Sequence, residues 1–174
     1  DTSIAVHVRA PQGTEVFAEY GRTSGAYSAS TQTALTAADD VRELSIDGLE
    51  PDTRYFYRVN YRRSGAADFE TGAEYTFHTH RSAGTTFSFG VQGDSHPERP
   101  GPGRMFHTDL YAQTMENVAA DVPDLYFTLG DDFSISNRMP NLFQGDTSAL
   151  TQETVDAVYQ NQRNYFGIMA NSTA

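Results

Sequence analysis

Two short stretches of this 174-residue sequence combine residue types that commonly bind metal ions. GDSH at positions 93–96 separates a carboxylate from an imidazole by one residue, and GDD at positions 130–132 places two carboxylates side by side. Carboxylate oxygens and imidazole nitrogens together suit Fe, Mn or Zn. Carboxylates that lie close together repel one another, and a bound cation removes that penalty. The sequence therefore predicts a metal site formed by Asp94, His96 and Asp131.

Each stretch directly follows an apolar run of the kind found in buried strands. FSFGVQ occupies positions 87–92 and LYFTL occupies 125–129, with a helical pattern between them. This order predicts a strand–helix–strand unit with parallel strands. The carboxyl ends of parallel strands lie at one edge of the sheet, where ligands bind. A glycine before each Asp would let the backbone turn sharply there, so we expect both turns to meet at that edge.

Two helices are predicted in this part of the chain. The first covers residues 105–120, and we expect one face of it to be apolar. That face consists of Phe106, Leu110, Met115 and Val118, with Tyr111 and Thr114 beside it. The second covers residues 151–166, with Gly167 as its C-terminal stop. Its expected inner face consists of Val155, Val158, Tyr159, Gln162 and Phe166.

Residues 1–80 show the alternation of short antiparallel strands. Six segments alternate apolar and polar side chains, separated by turn signals that contain glycine, proline or aspartate. This pattern is typical of a β-sandwich. The segment LEPDTRYFYRV at 49–59 resembles the corner between strands E and F of fibronectin type III domains. In that corner a tyrosine hydroxyl contacts nearby backbone, and the matching residue here is Tyr55.

Composition excludes several classes of function. The formal net charge is −11 and every basic residue is arginine. Such an acidic chain binds nucleic acid or anionic membranes poorly, so we expect no nucleic acid partner. Cysteine is absent, which excludes disulfides and thiolate metal sites. No run approaches the 18 or more apolar residues of a membrane span. Because residue 1 begins directly in a strand pattern, we expect no signal peptide in this stretch of sequence.

The paired motifs resemble those of the calcineurin-like metallophosphoesterases. That superfamily has Asp-x-His after the first strand, matched here by Asp94 and His96, and Gly-Asp after the second, matched by Gly130 and Asp131. A fibronectin-like domain in front further resembles the purple acid phosphatases and related secreted phosphatases. The resemblance implies two domains. They are an all-β fibronectin type III-like sandwich at 1–80 and, after a linker at 81–86, the first part of an α/β metallophosphoesterase domain at 87–174.

The same resemblance implies an activity and its cofactors. Two metal ions (Fe, Mn or Zn) would generate a hydroxide that hydrolyses small phosphate esters. Asp94 and His96 would bind the first metal and Asp131 would bridge both, so that His96 and Asp131 take part in catalysis. The protein would be secreted, periplasmic or attached to the cell surface.

The sequence departs from the family pattern at three points. Purple acid phosphatases have a metal-binding tyrosine where this chain has Ser134, and their first motif lacks a histidine corresponding to His96. We therefore expect a colourless site. The superfamily motifs Gly-Asn-His and Gly-His-x-His are absent. We therefore expect that the chain is a fragment and that the centre needs the missing C-terminal part of the domain.

Weaker candidates and other interpretations stay open at this point. His107 and Asp132 are possible substrate contacts, although a helix-face residue and a solvated turn carboxylate are the simpler interpretations. His78 and His80 share one face of a predicted strand, and we interpret them as solvent-facing. The Gly-Asp turns could be ordinary polar turns. Alternative functions are a non-catalytic binding module with a degenerate phosphatase domain, and a mononuclear hydrolase of another family.

Overall fold

A computed structural model describes residues 2–37, 41–97, 107–133 and 151–169. The chain divides into two compact units, residues 1–87 and 88–174. The division lies beside the linker predicted at 81–86. Strands dominate the first unit, and the second contains two strands and two helices among its described residues.

The first unit consists of antiparallel strands in two sheets. The strands are β1 (Ser3–Arg9), β2 (Thr14–Gly21), β3 (Ala29–Ser30), β4 (Ala34–Leu35), β5 (Val41–Asp47), β6 (Arg54–Arg63) and β7 (Glu70–His78). β1 pairs with β5 in the smaller sheet. The larger sheet has the order β3-β2-β6-β7, and β4 also pairs with β2. Five of the six segments predicted from alternation are confirmed as strands, whereas the segment YSASTQTA at 27–34 contains only the two-residue β3 and the first residue of β4.

The two sheets of this unit share one hydrophobic core. Val16 and Ala18 of β2 and Phe77 of β7 contribute from the larger sheet, and Leu44 and Ile46 contribute from β5. All five are at most 3% exposed. Their neighbours along the strands are more exposed, as expected for antiparallel sheets with one face on the core. Two sheets packed on a common core form the β-sandwich arrangement that the sequence predicts.

The predicted tyrosine corner is present. Tyr55 is 7% exposed, and its hydroxyl accepts a hydrogen bond from the backbone N–H of Glu50 at 3.0 Å. Its ring stacks on Phe77 with centroids 5.5 Å apart. This contact ties the turn that precedes β6 to the core of the sandwich.

Glu74 of β7 is the centre of a group of hydrogen bonds to the loop that follows β2. Its carboxylate accepts hydrogen bonds from the Ser24 hydroxyl at 2.6 Å, the Gly25 N–H at 2.8 Å and the Tyr27 hydroxyl. The bonds from Ser24, Tyr27 and Gly25, in that order of size, hold the pKa of Glu74 below its ordinary value of 4.5. The loop that follows β2 is thereby attached to β7.

The second unit contains β8 (Phe89–Gln92), α1 (Thr108–Asp121), β9 (Leu125–Thr128) and α2 (Gln152–Met169). β8 and β9 pair in parallel, from Phe89 opposite Leu125 to Gln92 opposite Thr128. The predicted strand–helix–strand order and its parallel pairing are confirmed. In the part of the chain that the structure describes, no helix is long and apolar enough to cross a bilayer.

The helices of this unit pack together through a second hydrophobic cluster. Its buried members are Tyr111 and Met115 of α1 and Met169 of α2, and Tyr126 of β9 packs against them. The ring of Tyr126 crosses Gly90 so closely that a Cβ at position 90 would lie 2.3 Å from a ring carbon. Glycine at position 90 therefore leaves the space that this ring occupies.

Three details of the helix prediction are wrong. Leu110 is 64% exposed and Tyr159 is 50% exposed, because the buried faces centre on Tyr111 and Met115 in α1 and on Val158 and Gln162 in α2. α2 does not end at Gly167 but continues to Met169. Burial of the Met169 side chain in the cluster stabilises the additional helical residues. Phe106 lies outside the described residues.

Candidate metal centre

The turns that follow β8 and β9 run side by side. Backbone hydrogen bonds join them beyond the ends of the strands. The Leu129 N–H donates to the Gln92 carbonyl at 2.8 Å, and the Asp94 N–H donates to the Gly130 carbonyl at 3.3 Å. The His96 N–H donates to the backbone carbonyl of Asp132 at 2.9 Å. These bonds continue the pairing of the parallel strands into the two predicted metal-binding stretches. The predicted convergence at the carboxyl edge of the sheet is therefore present in the structure.

The side chains of Asp94, His96 and Asp131 come together at this edge. The Nε2 atom of His96 lies 2.9 Å from Oδ1 of Asp94 and 3.4 Å from Oδ1 of Asp131. One potential ligand atom from each residue lies within 4.8 Å of the others. The imidazole is 12% exposed, whereas the carboxylates are 73% and 75% exposed. The group therefore has a buried nitrogen side and an open carboxylate side.

These three side chains fit a metal ion. Metal–ligand bonds of about 2.0–2.2 Å place two ligand atoms at right angles about 3 Å apart. The separations of 2.9 and 3.4 Å agree with that spacing. An imidazole nitrogen combined with two carboxylate oxygens suits Fe, Mn or Zn. Among the described residues, no other group of three potential ligands is this compact.

The backbone at this centre is unusual. Five non-glycine residues of the described chain have a positive φ: Asp52, Asp94, His96, Val122 and Asp131. Three of the five are the predicted ligands, at φ values of 55°, 44° and 54°. The left-handed backbone conformation destabilises a protein by about 1 kcal/mol or more for each non-glycine residue that adopts it. Such strained residues occur preferentially at functional sites.

The expected role of glycine in the two turns holds for one of them. Gly130 has a φ of 92°, as predicted for the second turn. In the first turn, Gly93 is not among the glycines with positive φ, and Asp94 and His96 adopt the left-handed conformation themselves. Aspartate and histidine enter this region more readily than most residues. The prediction that Gly93 supplies the sharp turn is therefore wrong.

A polar network lies behind the centre. The Gln92 amide donates to the Tyr111 hydroxyl at 2.6 Å and to Oδ1 of Asp132 at 3.4 Å, and its oxygen accepts from the Tyr126 hydroxyl at 2.8 Å. Burial, and then the neighbouring Tyr111 and Asp132, raise the pKa of Tyr126. Both ends of the Gln92 amide are thus satisfied, and β8 is fixed to α1 and β9 directly below the turns.

Gln162 of α2 extends this network to the first turn. Its side-chain N–H₂ donates to the Ser95 hydroxyl at 3.3 Å and to the Tyr111 hydroxyl at 3.2 Å. The Ser95 hydroxyl donates in turn to the carbonyl of Asp132 at 3.2 Å. Sequence reasoning did not identify these residues as functional. The available signal was Gln162 itself, a polar residue on the predicted inner face of a helix.

The weaker candidates are not part of the compact group. Asp132 is partly buried, and its contacts are the Gln92 amide and the bonds that its carbonyl accepts from the first turn. It is therefore less solvated than expected. His107 is exposed and directly precedes α1, where its carbonyl accepts from the Tyr111 N–H at 3.0 Å. Ser134 lies outside the described residues.

Of the two histidines predicted to face solvent on one strand, His78 and His80, only His80 is exposed. The side chain of His78 is 12% exposed, with Nδ1 2.7 Å from the Thr79 carbonyl and Nε2 3.7 Å from Oδ1 of Asp52. The prediction that it faces solvent is wrong, because it packs at the end of β7. His80 is exposed but lies beyond that strand. Hydrogen bonds from Ser82 lower the pKa of Asp52.

Comparison with known proteins adds no family to these observations. No protein-family model matches the chain, and no curated protein matches its sequence.

Proposed function

We propose that the second unit carries part of a binuclear metal centre that hydrolyses phosphate esters, as in the calcineurin-like metallophosphoesterases that its motifs resemble. The observation that carries the proposal is the meeting of Asp94, His96 and Asp131, within 4.8 Å of one another, at the ends of two parallel strands. Ligands of α/β sheets bind at this edge. The left-handed backbone of all three residues supports a functional rather than a merely polar turn.

In this proposal each residue has a distinct task. Asp94 and His96 would hold the first metal, and Asp131 would bridge it to the second. When bound, such metals polarise the phosphoryl group and activate the attacking water. The buried ring of His96, in contact with both carboxylates, would fix the side of the centre that faces the protein. The exposed carboxylates would leave the opposite side open to substrate.

The charge of the chain favours a metal over a purely organic site. The formal net charge is −11, and the centre itself contributes two carboxylates. An anionic phosphate ester would be repelled by this surface. Bound cations reverse the sign of the local field, so they would supply the attraction that the protein lacks. The same resemblance leads us to propose a secreted, periplasmic or cell-surface enzyme.

The three residues supply only part of a binuclear centre. The family's Gly-Asn-His and Gly-His-x-His motifs do not occur in these 174 residues. The activity test therefore uses the protein expressed from its whole open reading frame. Hydrolysis of p-nitrophenyl phosphate and of bis(p-nitrophenyl) phosphate is measured after chelation and again after addition of Mn²⁺, Zn²⁺ or Fe²⁺.

We expect hydrolysis of at least one ester to disappear on chelation and to return with metal. A matched pair of variants locates the effect: His96→Ala should abolish the metal-dependent activity, whereas His107→Ala should retain it. Metal binding without hydrolysis of either ester would favour the non-catalytic module. One metal per active protein, instead of two, would favour a mononuclear hydrolase. Activity that survives both chelation and His96→Ala would refute the proposal.

A further inference from the structure

We infer that Gln162 of α2 is a positioning residue for the metal-binding turn, acting through the Ser95 hydroxyl that lies between Asp94 and His96. This inference rests on the proposed metal centre. It goes further by assigning a task to a residue that is remote in sequence and is not itself a ligand.

Gln162 connects α2 to the turn that follows β8. Gln162 Nε2 lies 3.3 Å from the Ser95 Oγ and 3.2 Å from the Tyr111 hydroxyl. A single amide group therefore bonds to the metal-binding turn and to α1. The Tyr111 hydroxyl also accepts a hydrogen bond from the Gln92 amide, which fixes the position of this hydroxyl. The fixed hydroxyl in turn orients the amide of Gln162.

Ser95 connects Gln162 to the two strand ends. The Ser95 hydroxyl donates to the carbonyl of Asp132, and the N–H of His96 donates to the same carbonyl at 2.9 Å. One carbonyl in the second turn thus anchors the first turn at two successive residues. Gln162 controls the hydroxyl of this pair, so it influences the spacing between the ligands on the two turns.

Gln162 is buried. The residue is 3% exposed and shares its helix face with the buried apolar residues Val158 and Met169. Its Oε1 is buried and has no hydrogen-bond partner in the part of the chain that the structure describes. A buried amide with an unsatisfied oxygen is unfavourable for stability, and an apolar residue would fill the same space without that cost. The bonds to Ser95 and Tyr111 are therefore the contribution that an apolar residue cannot make.

The left-handed conformations of Asp94 and His96 explain why such support matters. Both residues flank Ser95 and have φ values of 55° and 44°. A strained turn persists only where its surroundings hold it in place. Outer partners that orient metal ligands typically change metal affinity by about 10–100-fold when removed. Because Gln162 acts through one intermediate residue, we expect an effect at the lower end of that range.

The test compares Gln162→Met with Gln160→Met. Methionine keeps the length and packing of glutamine but donates no hydrogen bond. Gln160 is an exposed residue of the same helix, and its side-chain N–H₂ donates to the Asn164 side chain at 2.9 Å, away from the turns, so it is a matched control. Amide hydrogen exchange of His96 is measured by NMR in the metal-free protein, and the dissociation constant for Mn²⁺ is measured by titration calorimetry.

We expect Gln162→Met to accelerate exchange of the His96 amide and to raise the Mn²⁺ dissociation constant about 10-fold, while Gln160→Met changes neither. Ser95→Ala should reproduce both effects, and the double variant should be no weaker than either single variant, because the two residues act in series. If Gln162→Met does not fold, unchanged Mn²⁺ affinity in Ser95→Ala would still overturn the inference, because Gln162 is held to act through that hydroxyl.

The outcomes separate this inference from the proposed function. Wild-type protein that binds no Mn²⁺ would overturn the metal centre, and the inference with it. Wild-type protein that binds Mn²⁺, with unchanged affinity and unchanged His96 exchange in Gln162→Met, would overturn the inference alone. Fully additive losses in the double variant would also overturn it, because Gln162 would then not act through Ser95.

Discussion

Replacing Asp131 by asparagine should weaken the binding of a divalent cation by at least about 30-fold. The Asp131 carboxylate lies within 4.8 Å of the other two ligand atoms, so a cation shared by all three would lie within about 4 Å of it. Two unit charges at that distance attract by about 1 kcal/mol in water, hence about 2 kcal/mol for a divalent ion. Because Asp131 is 75% exposed, the value for water is the appropriate lower limit. Each 1.4 kcal/mol corresponds to a factor of about ten, which gives the 30-fold figure.

Asp132→Asn is the matched control for this prediction. It removes the same charge from the adjacent residue, but that carboxylate is not one of the three potential ligands. At physiological ionic strength, dissolved salt screens the attraction between the Asp132 carboxylate and a bound cation over a distance of about 8 Å. Mn²⁺ titration of both variants at about 0.15 M salt should therefore show a large loss for Asp131→Asn and a small one for Asp132→Asn. Equal losses, or a larger loss at Asp132, would refute the assignment of Asp131 as a ligand.

Three further predictions concern the framework of the two units. Tyr55→Phe should destabilise the sandwich by about 1–3 kcal/mol, because a backbone N–H loses its partner. The exposed Tyr61→Phe should cost less than about 0.5 kcal/mol. Gly90→Ala should destabilise the second unit by about 1–3 kcal/mol, because the new Cβ would collide with the ring of Tyr126. Gly167→Ala is its control: the new Cβ meets no atom within 4 Å, so the variant should stabilise α2 by about 1 kcal/mol. Glu74 has a lowered pKa in the folded state, so it stabilises the sandwich above pH 4.5 and this contribution is lost as the pH falls through the lowered pKa. The difference in unfolding midpoint between wild type and Glu74→Gln should accordingly shrink in acid.

Urea unfolding, followed for each unit by NMR, measures all of these changes. Equal effects of Tyr55→Phe and Tyr61→Phe would contradict the tyrosine corner. Stabilisation by Gly90→Ala would show that the aromatic ring does not occupy the space above β8. A difference between wild type and Glu74→Gln that grows as the pH falls would mean that the pKa of Glu74 is raised, not lowered.

Much of the fold follows from patterns within short stretches of sequence. The strands of the sandwich were predictable because alternation has a period of two, so a few residues define the inward face. The contact of Tyr55 was predictable because its partner is only five residues away. Helix faces are harder to predict. Leu110 and Tyr159 were assigned to the wrong side because a few apolar residues at a spacing near 3.6 define only a broad face. Gly167 failed as a stop because burial of Met169 outweighs local propensity.

In the candidate site, the three potential metal ligands could be predicted, but the residues that support them could not. Asp94, His96 and Asp131 could be predicted because each follows an apolar strand, and parallel strands bring such positions to one edge. The supporting network could not. Gln92 and Tyr111 are 19 residues apart, Gln162 and Tyr111 are 51 apart, and Gln162 and Ser95 are 67 apart. Nothing in the local pattern indicates that glutamines are buried, since most glutamines are solvated.

Anomalous diffraction from crystals of the protein equilibrated with Mn²⁺ or Zn²⁺ tests the central claim most directly. A metal centre at the ends of β8 and β9 predicts an anomalous peak about 2.0–2.2 Å from Nε2 of His96 and from a carboxylate oxygen of each of Asp94 and Asp131. The peak should be absent from crystals of His96→Ala and present in crystals of His107→Ala. A fully soaked wild-type crystal with no peak among these three side chains, or with its metal bound elsewhere, would contradict the assignment of this edge of the sheet as a metal centre.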